Sequence, residues 1–211
     1  MSVNPGDMYA TALAGGSMLQ ARESDGTLRA LPLDMWLCDA RGADKRLVAR
    51  AVGPVLDVGC GPGRHVHALA LRSVIAVGVD VSPAALHLAR ARGATVLEAS
   101  IFDRIPGAGE WRTALLLDGN IGIGGAPAAL LRRIGSLLTP DGTILVEVDP
   151  PGVGLEIVRM RLEDEHRKSH WFDWARVGAE AIAAPAREAG LRVRESWEDE
   201  GRWFAALGLR P

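Results

Sequence analysis

Val55-Leu56-Asp57-Val58-Gly59-Cys60-Gly61-Pro62-Gly63-Arg64 is the stretch that decides the fold. A short apolar run, residues 55–58, has the length and composition of a buried strand. Three glycines then alternate with other residues before a helix-compatible segment begins at 63–71. Glycine has no Cβ, so the chain turns sharply there and its bare backbone approaches whatever lies above it. The helix that follows presents unpaired N–H groups at its start.

Reading outward, the same alternation repeats. Residues 74–79 form a second apolar run. Ser82-Pro83 is an N-cap followed by proline at the first helical position, opening a helix over 84–92 that Gly93 stops. Residues 94–98 and 113–117 are the third and fourth strands. A helix over 127–138 places Leu130, Leu131, Ile134, Leu137 and Leu138 on one face. Pro140-Asp141-Gly142 reads as a turn before a fifth strand at 143–148. Strands this apolar are buried on both faces, which predicts a doubly wound, Rossmann-like α/β sheet, mostly parallel. The tail reads as a helix over 176–189, kinked by Pro185, then strands at 191–196 and 203–209 forming an antiparallel hairpin at the sheet edge. Residues 1–53 read as a helical and hairpin appendage covering the cleft of a domain at 54–211. It contains a helix from 8 to 19 interrupted at Gly15 and Gly16, a hairpin about Ser24-Asp25-Gly26, and a helix from Asp44, as cap, to 52.

Composition excludes several classes. The 211 residues suit one compact domain, and a net charge of −2 supplies no basic field for nucleic acid. Two cysteines build no disulfide framework or metal site and point to a reducing, cytoplasmic setting. No apolar run approaches membrane-spanning length. His166 and His170, four apart, could share a helical face but lack a third ligand, so no metal is expected; residues 159–168 mix both charges and read as a solvated helix.

The glycine spacing is G-x-G-x-G with Asp57 just before it, whereas the dinucleotide fingerprint is G-x-G-x-x-G without a leading carboxylate. Asp80, at the end of the second strand, has the position from which a carboxylate accepts both hydroxyls of a ribose. Together they indicate an adenosine-like ligand. In Asp57-Val58-Gly59-Cys60-Gly61-Pro62-Gly63 and Gly78-Val79-Asp80-Val81-Ser82 the chain resembles the first two motifs of class I methyltransferases dependent on S-adenosylmethionine (SAM). The resemblance runs on through Ser100-Ile101-Phe102-Asp103, Leu117-Asp118-Gly119-Asn120 and Leu137-Leu138-Thr139-Pro140-Asp141-Gly142, about residues 50–150. The whole chain resembles the small actinobacterial-type members.

The resemblance implies that Asp57, Gly59, Gly61 and Gly63 hold the methionine end of SAM, with Asp80 and Val81 at the ribose. Ser100 and Ile101 would contact adenine, although many relatives carry aspartate where this chain has Ser100. Asp118 would lie near the ammonium or the acceptor, and Tyr9 would close over the cofactor. Asn120, Trp171 and Trp174 are the expected acceptor-binding residues. His166 and His170, which titrate near neutrality, are the expected bases beside Asp118. The expected activity is methyl transfer to a small-molecule acceptor, with oxygen favoured, in a monomer or homodimer that engages neither nucleic acid nor membrane. A non-catalytic SAM-binding module and a nicotinamide-dependent oxidoreductase are the alternatives.

Overall fold

The structure is a computed structural model that describes residues 2–15 and 18–210. In chain order its elements are β1 (Ser2–Val3), α1 (Pro5–Leu13), β2 (Gln20–Glu23), β3 (Leu28–Ala30), α2 (Leu33–Leu37), α3 (Ala43–Ala49), β4 (Val55–Val58), α4 (Arg64–Ala70), β5 (Ala76–Asp80), α5 (Pro83–Ala91) and β6 (Val96–Glu98). They continue with β7 (Trp111–Leu116), α6 (Pro127–Gly135), β8 (Leu138–Val148), β9 (Leu155–Glu163), β10 (Lys168–Ser169), β11 (Phe172–Val177), α7 (Ala183–Glu188), β12 (Leu191–Asp199) and β13 (Arg202–Leu209).

Seven strands form the main sheet in the order β12-β13-β8-β7-β4-β5-β6. β4, β5, β6, β7 and β8 pair in parallel, and β13 lies antiparallel between β8 and β12. This is the Rossmann-like sheet expected, including its C-terminal hairpin. From β4 the chain steps out to β5 and β6, then returns to β7 on the other side. That reversal opens a crevice at the carboxyl ends of β4 and β7, where ligands of such sheets bind. Apolar side chains fill both faces. Leu56, Val58, Leu116, Leu130, Ile134 and Val146 are packed on one side, and Leu47, Leu69, Leu115 and Leu145 on the other.

A second, smaller sheet forms a roof above the crevice. Its order is β1-β10-β9-β2-β3, with β11 on the other side of part of β9. Here the structure corrects three expectations. Residues 159–168 are not a solvated helix. In β9 the alternation of Arg159, Met160, Arg161 and Leu162 has period two, and Met160 and Leu162 are buried while the arginines point outward. Residues 176 and 177, the expected start of the last helix, belong to strand β11, and α7 begins only at Ala183. Pro185 falls in the first turn of α7, where proline is tolerated, and kinks nothing. Within the first fifty residues, β2 pairs with β9 along Gln20–Glu163 to Glu23–Met160, so this segment and residues 160–163 share one sheet.

Smaller departures follow local chemistry. α1 starts at Pro5, with the Asn4 side chain accepting from Gly6 N, and ends at Leu13, before Gly15. Gly16 lies outside the described residues. α3 begins after Gly42, so Asp44 lies inside its first turn rather than at the cap. Ser82 caps α5 by accepting from Ala85 N, as expected. Pro140 to Gly142 falls within β8, whose register against β7 shifts between Trp111 and Thr113. Among the described residues no helix is long and apolar enough to cross a membrane.

Candidate active site

A cavity of about 560 Å³ lies between the crevice and the roof. Its floor is the glycine loop. Gly59 and Cys60 donate to the carbonyl of Val79, at 2.8 and 3.1 Å, tying the loop to the end of β5. Gly61 N donates to Asp80 Oδ2 and Ser82 N to Asp80 Oδ1, each at 2.8 Å. Burial pushes the Asp80 carboxyl above its ordinary value, and these backbone donors work against that shift. Asn120 closes the loop from the other side, its Nδ2 donating to the carbonyls of Val58 and Gly59 at 3.0 and 2.9 Å.

Gly59 and Gly61 adopt φ of 70° and 50°, which side chains disfavour. A Cβ on Gly59 would come within 2.6 Å of Asn120 Nδ2, and one on Gly61 within 3.1 Å of the Tyr9 hydroxyl. The loop therefore offers bare backbone to the cavity, with the Asp80 carboxylate beside it. Val81, Ser100 and Ile101 continue the same wall. Backbone donors, a carboxylate and an apolar edge follow one another as the amino-acid, ribose and adenine parts of SAM require, so these residues fit that ligand.

The structure brings together most of the residues singled out from sequence. Tyr9, Gly59, Gly61, Asp80, Val81, Ser100, Ile101, Asp118, Asn120 and Trp174 all line the cavity. Burial and the nearby Asp80 push the Tyr9 phenol upward, so it stays protonated. Ser100 Oγ accepts from Phe102 N at 3.2 Å, while Ser100 N donates to Asp103 Oδ2 at 3.0 Å. Asp103 thus braces the turn under Ser100 and does not replace the aspartate of relatives.

Five expected residues lie elsewhere. Gly63 is packed against α5, where a Cβ would sit 2.7 Å from that of Ala89, so it serves helix packing. Asp57 is buried beneath the loop, and its Oδ2 has no hydrogen-bond partner. Burial pushes its carboxyl up to about 6, with His65, whose Nδ1 is 3.9 Å away, pulling the other way. His166, His170 and Trp171 belong to the roof's outward side. The His166 side chain is 82% exposed. His170 Nδ1 meets Ser2 Oγ at 3.1 Å, and Trp171 stacks under the Arg161 guanidinium at 4.7 Å. None of the three lines the cavity, so neither histidine stands where a base would meet an acceptor.

Sequence reasoning missed a buried ion network beneath the cavity. Arg64, the first residue of α4, pairs with Asp44 and with Asp118 Oδ1, the latter at 2.6 Å. Arg202 donates to Asp44 Oδ1 at 2.6 Å and to both oxygens of Glu147, at 2.7 and 2.8 Å. Asp118 N in turn donates to Glu147 Oε2 at 2.8 Å. Burial works against ionisation of Asp44, but its bonds from His65 and Arg202 and the charge of Arg64 hold its carboxyl well below the usual range. Arg202 was findable. β13 runs opposite to β8, so its first residue lands at the carboxyl edge of the parallel strands, above Val148.

The roof contributes the remaining walls: Ala21, Arg29, Leu31, Met160, Leu162, Phe172 and Trp174, with Trp36 of α2. None of these except Trp174 was singled out, because their proximity depends on pairing β2 with β9.

Comparison with known proteins agrees with this geometry. Residues 55–142 match a methyltransferase domain family. The trans-aconitate 2-methyltransferase of Paracidovorax citrulli is 31% identical over 107 residues, 49% of this chain and 41% of that relative, so the chain spans well under half the relative's length. A SAM-dependent methyltransferase from Bacteroides fragilis, solved with S-adenosyl-L-homocysteine, superposes with a TM-score of 0.82 at 23% identity, covering 99% of this chain and 95% of the other. The 1,6-didemethyltoxoflavin-N1-methyltransferase of Burkholderia thailandensis has a TM-score of 0.60 at 19% identity, covering 84% and 82%. Residues 55–142 thus match a methyltransferase domain, and the chain as a whole shares the fold of SAM-dependent methyltransferases of known structure.

Proposed function

We propose that this protein transfers a methyl group from SAM to a small molecule held under the roof, at an oxygen that is already anionic. The observation carrying the proposal is that the glycine floor and the apolar roof bound one continuous cavity of about 560 Å³. That is within the ordinary range for a small-molecule site. In this reading residues 1–53, with 155–177, form the acceptor-side cover. The two relatives whose acceptors are named act on trans-aconitate and on 1,6-didemethyltoxoflavin, both small molecules.

SAM supplies a sulfonium-bound methyl for in-line displacement. The chain's own residues provide alignment, which accounts for roughly 7 to 11 kcal/mol of barrier lowering in favourable cases. Gly59 and Gly61 set the backbone, Asn120 fixes the loop, and Asp80 orients the ribose. The acidic wall of Asp80 and Asp118 favours a cationic ligand. Among the described residues no wall residue is a free base. Asp118 is engaged by Arg64, Asp80 by two backbone donors, and the Tyr9 phenol and Cys60 thiol are pushed upward, chiefly by burial. A hydroxyl acceptor would need a base. A carboxylate oxygen needs none, which is why it is preferred here.

The test is calorimetry with S-adenosylhomocysteine, followed by transfer of radiolabelled methyl from SAM to a metabolite extract, with products identified by mass spectrometry. Base-labile methyl esters are expected. Folded protein that ignores millimolar S-adenosylhomocysteine would remove the whole assignment, and N-methylated products alone would remove the oxygen acceptor.

A further inference from the structure

We infer that Arg29 selects the acceptor, taking an anionic group, of carboxylate type, on an otherwise apolar molecule. This inference rests on the proposed function, since it concerns the part of the same cavity that SAM leaves free.

The underside of the roof is laid out by strand register. Arg29 of β3 is opposite Ala21 of β2, and Ala21 is opposite Leu162 of β9. One step along, Glu23 is opposite Met160, which is opposite Phe172 of β11. Residues opposite one another, and those two apart, share a face. Ala21, Leu162, Met160, Phe172 and Trp174 therefore make an apolar ceiling, all lining the cavity. Two charged residues interrupt it, Glu23 and Arg29. Glu23 is 6% exposed, and its protein partner is the Nε of Arg29 at 2.8 Å.

That pairing leaves the working edge of the guanidinium open. Arginine has five N–H donors in a rigid fork. In Arg29 the Nε donor serves Glu23, and among the described residues no acceptor engages its Nη atoms. The other basic residue of the cavity wall, Arg64, is committed to Asp44 and Asp118. Arg22, a neighbour on the same hairpin, is bound to Glu163 and to the carbonyl of Gly26. Among the described residues Arg29 is thus the cavity's one cation with free donors, and the buried Glu23 fixes its orientation. Two parallel N–H groups match a carboxylate in bidentate fashion. The Arg29 side chain is 50% exposed, so a neutral acceptor leaves these donors to water, whereas a carboxylate gains a charge-assisted pair with them.

The experiment uses the full chain saturated with S-adenosylhomocysteine, and matched probe pairs titrated by calorimetry: phenylacetate with phenylacetamide, and octanoate with octanamide. At least one acid is expected to bind at least tenfold more tightly than its amide. Arg29→Gln, which still donates to Glu23, is expected to erase that preference, and Arg29→Lys to restore part of it. Both variants should bind S-adenosylhomocysteine within twofold of the parent, which also reports that they are folded. Equal binding of acid and amide, no binding of either acid, or an acid preference surviving Arg29→Gln would each overturn the assignment of Arg29. Loss of S-adenosylhomocysteine binding by the parent chain would instead reject the methyltransferase reading itself.

Discussion

Asp57→Asn should stabilise this protein at neutral pH, and the size of the effect follows from where Asp57 lies. The side chain is enclosed at the end of β4, one of its oxygens has no partner, and burial raises its carboxyl from 3.8 to about 6. The unfolded chain keeps the ordinary value. Between those two pH values the folded state holds a proton that the unfolded state has released, so stability falls as pH rises through the window. Above it, the folded protein carries the full cost of a buried carboxylate. A gap of about two pH units, at about 1.4 kcal/mol each, amounts to about 3 kcal/mol. Asparagine keeps the shape without the charge. The variant should match the parent near pH 3.5 and exceed it by about 3 kcal/mol at pH 7.5, equivalent to roughly 6 to 12 °C in melting temperature for a chain of this size. Urea unfolding of both proteins from pH 3.5 to 8, compared as a difference at each pH, isolates this group from the others. A difference that stays flat with pH, or a variant less stable at pH 7.5, would show that His65 compensates the charge and refute the reasoning.

Three further outcomes are expected. Asp80→Ala should weaken S-adenosylhomocysteine at least tenfold by calorimetry, since hydrogen bonds to a charged group contribute about 1.5 to 3 kcal/mol and the Gly61 N–H also loses its acceptor; unchanged affinity would take Asp80 out of the site. Arg64→Met should cost about 3 to 5 kcal/mol in urea unfolding by leaving Asp44 and Asp118 without their shared cation, and adding Asp44→Asn should return part of the loss. Gly122→Ala would overlap the Trp174 indole, costing about 1 to 3 kcal/mol through overpacking, and should lower methyl transfer while sparing S-adenosylhomocysteine affinity, because Trp174 belongs to the roof; equal loss of both would place Trp174 against the cofactor instead.

The sheet was legible because its signals are local. The run at residues 55–58, the glycine bend and the Ser82-Pro83 cap each state their structure within ten residues, and each formed where expected. The roof was not legible. Met160 and Leu162 alternate with arginines, and the hairpin at Asp25 carries only a turn signal, so neither segment names its partner. Their pairing spans about 140 residues of chain, from Gln20 to Glu163, and only burial of a shared apolar face selects it. The same blindness misplaced His166 and His170. Spacing of four suggested one helical face, whereas the segment between β9 and β10 is a turn in which Asp164 accepts from the backbone N–H groups of His166 and Arg167.

What sequence rules handle worst in this protein coincides with the crevice, and that coincidence supports the site independently of any motif. Two residues at the carboxyl ends of neighbouring strands break ordinary folding preferences. Asp57 buries an unpartnered carboxylate oxygen, and Asp118, a residue with a side chain, adopts φ of 57°. A left-handed backbone at such a residue costs about 1 to 3 kcal/mol and persists only where its surroundings enforce it. Here they do: Glu147 accepts from its N–H and Arg64 holds its carboxylate. Glu147 and Arg64 are themselves fixed through Arg202 and Asp44, so four elements converge to hold one aspartate in an unfavourable conformation. A chain selected for stability alone would place glycine or asparagine at position 118 and an apolar side chain at position 57. Retaining acids at both, on either side of the glycine loop, makes sense when that loop must face a cation. The stability lost at Asp57 and Asp118 is spent on acids that flank the glycine loop, and the pH profile of Asp57→Asn measures the share that falls at Asp57.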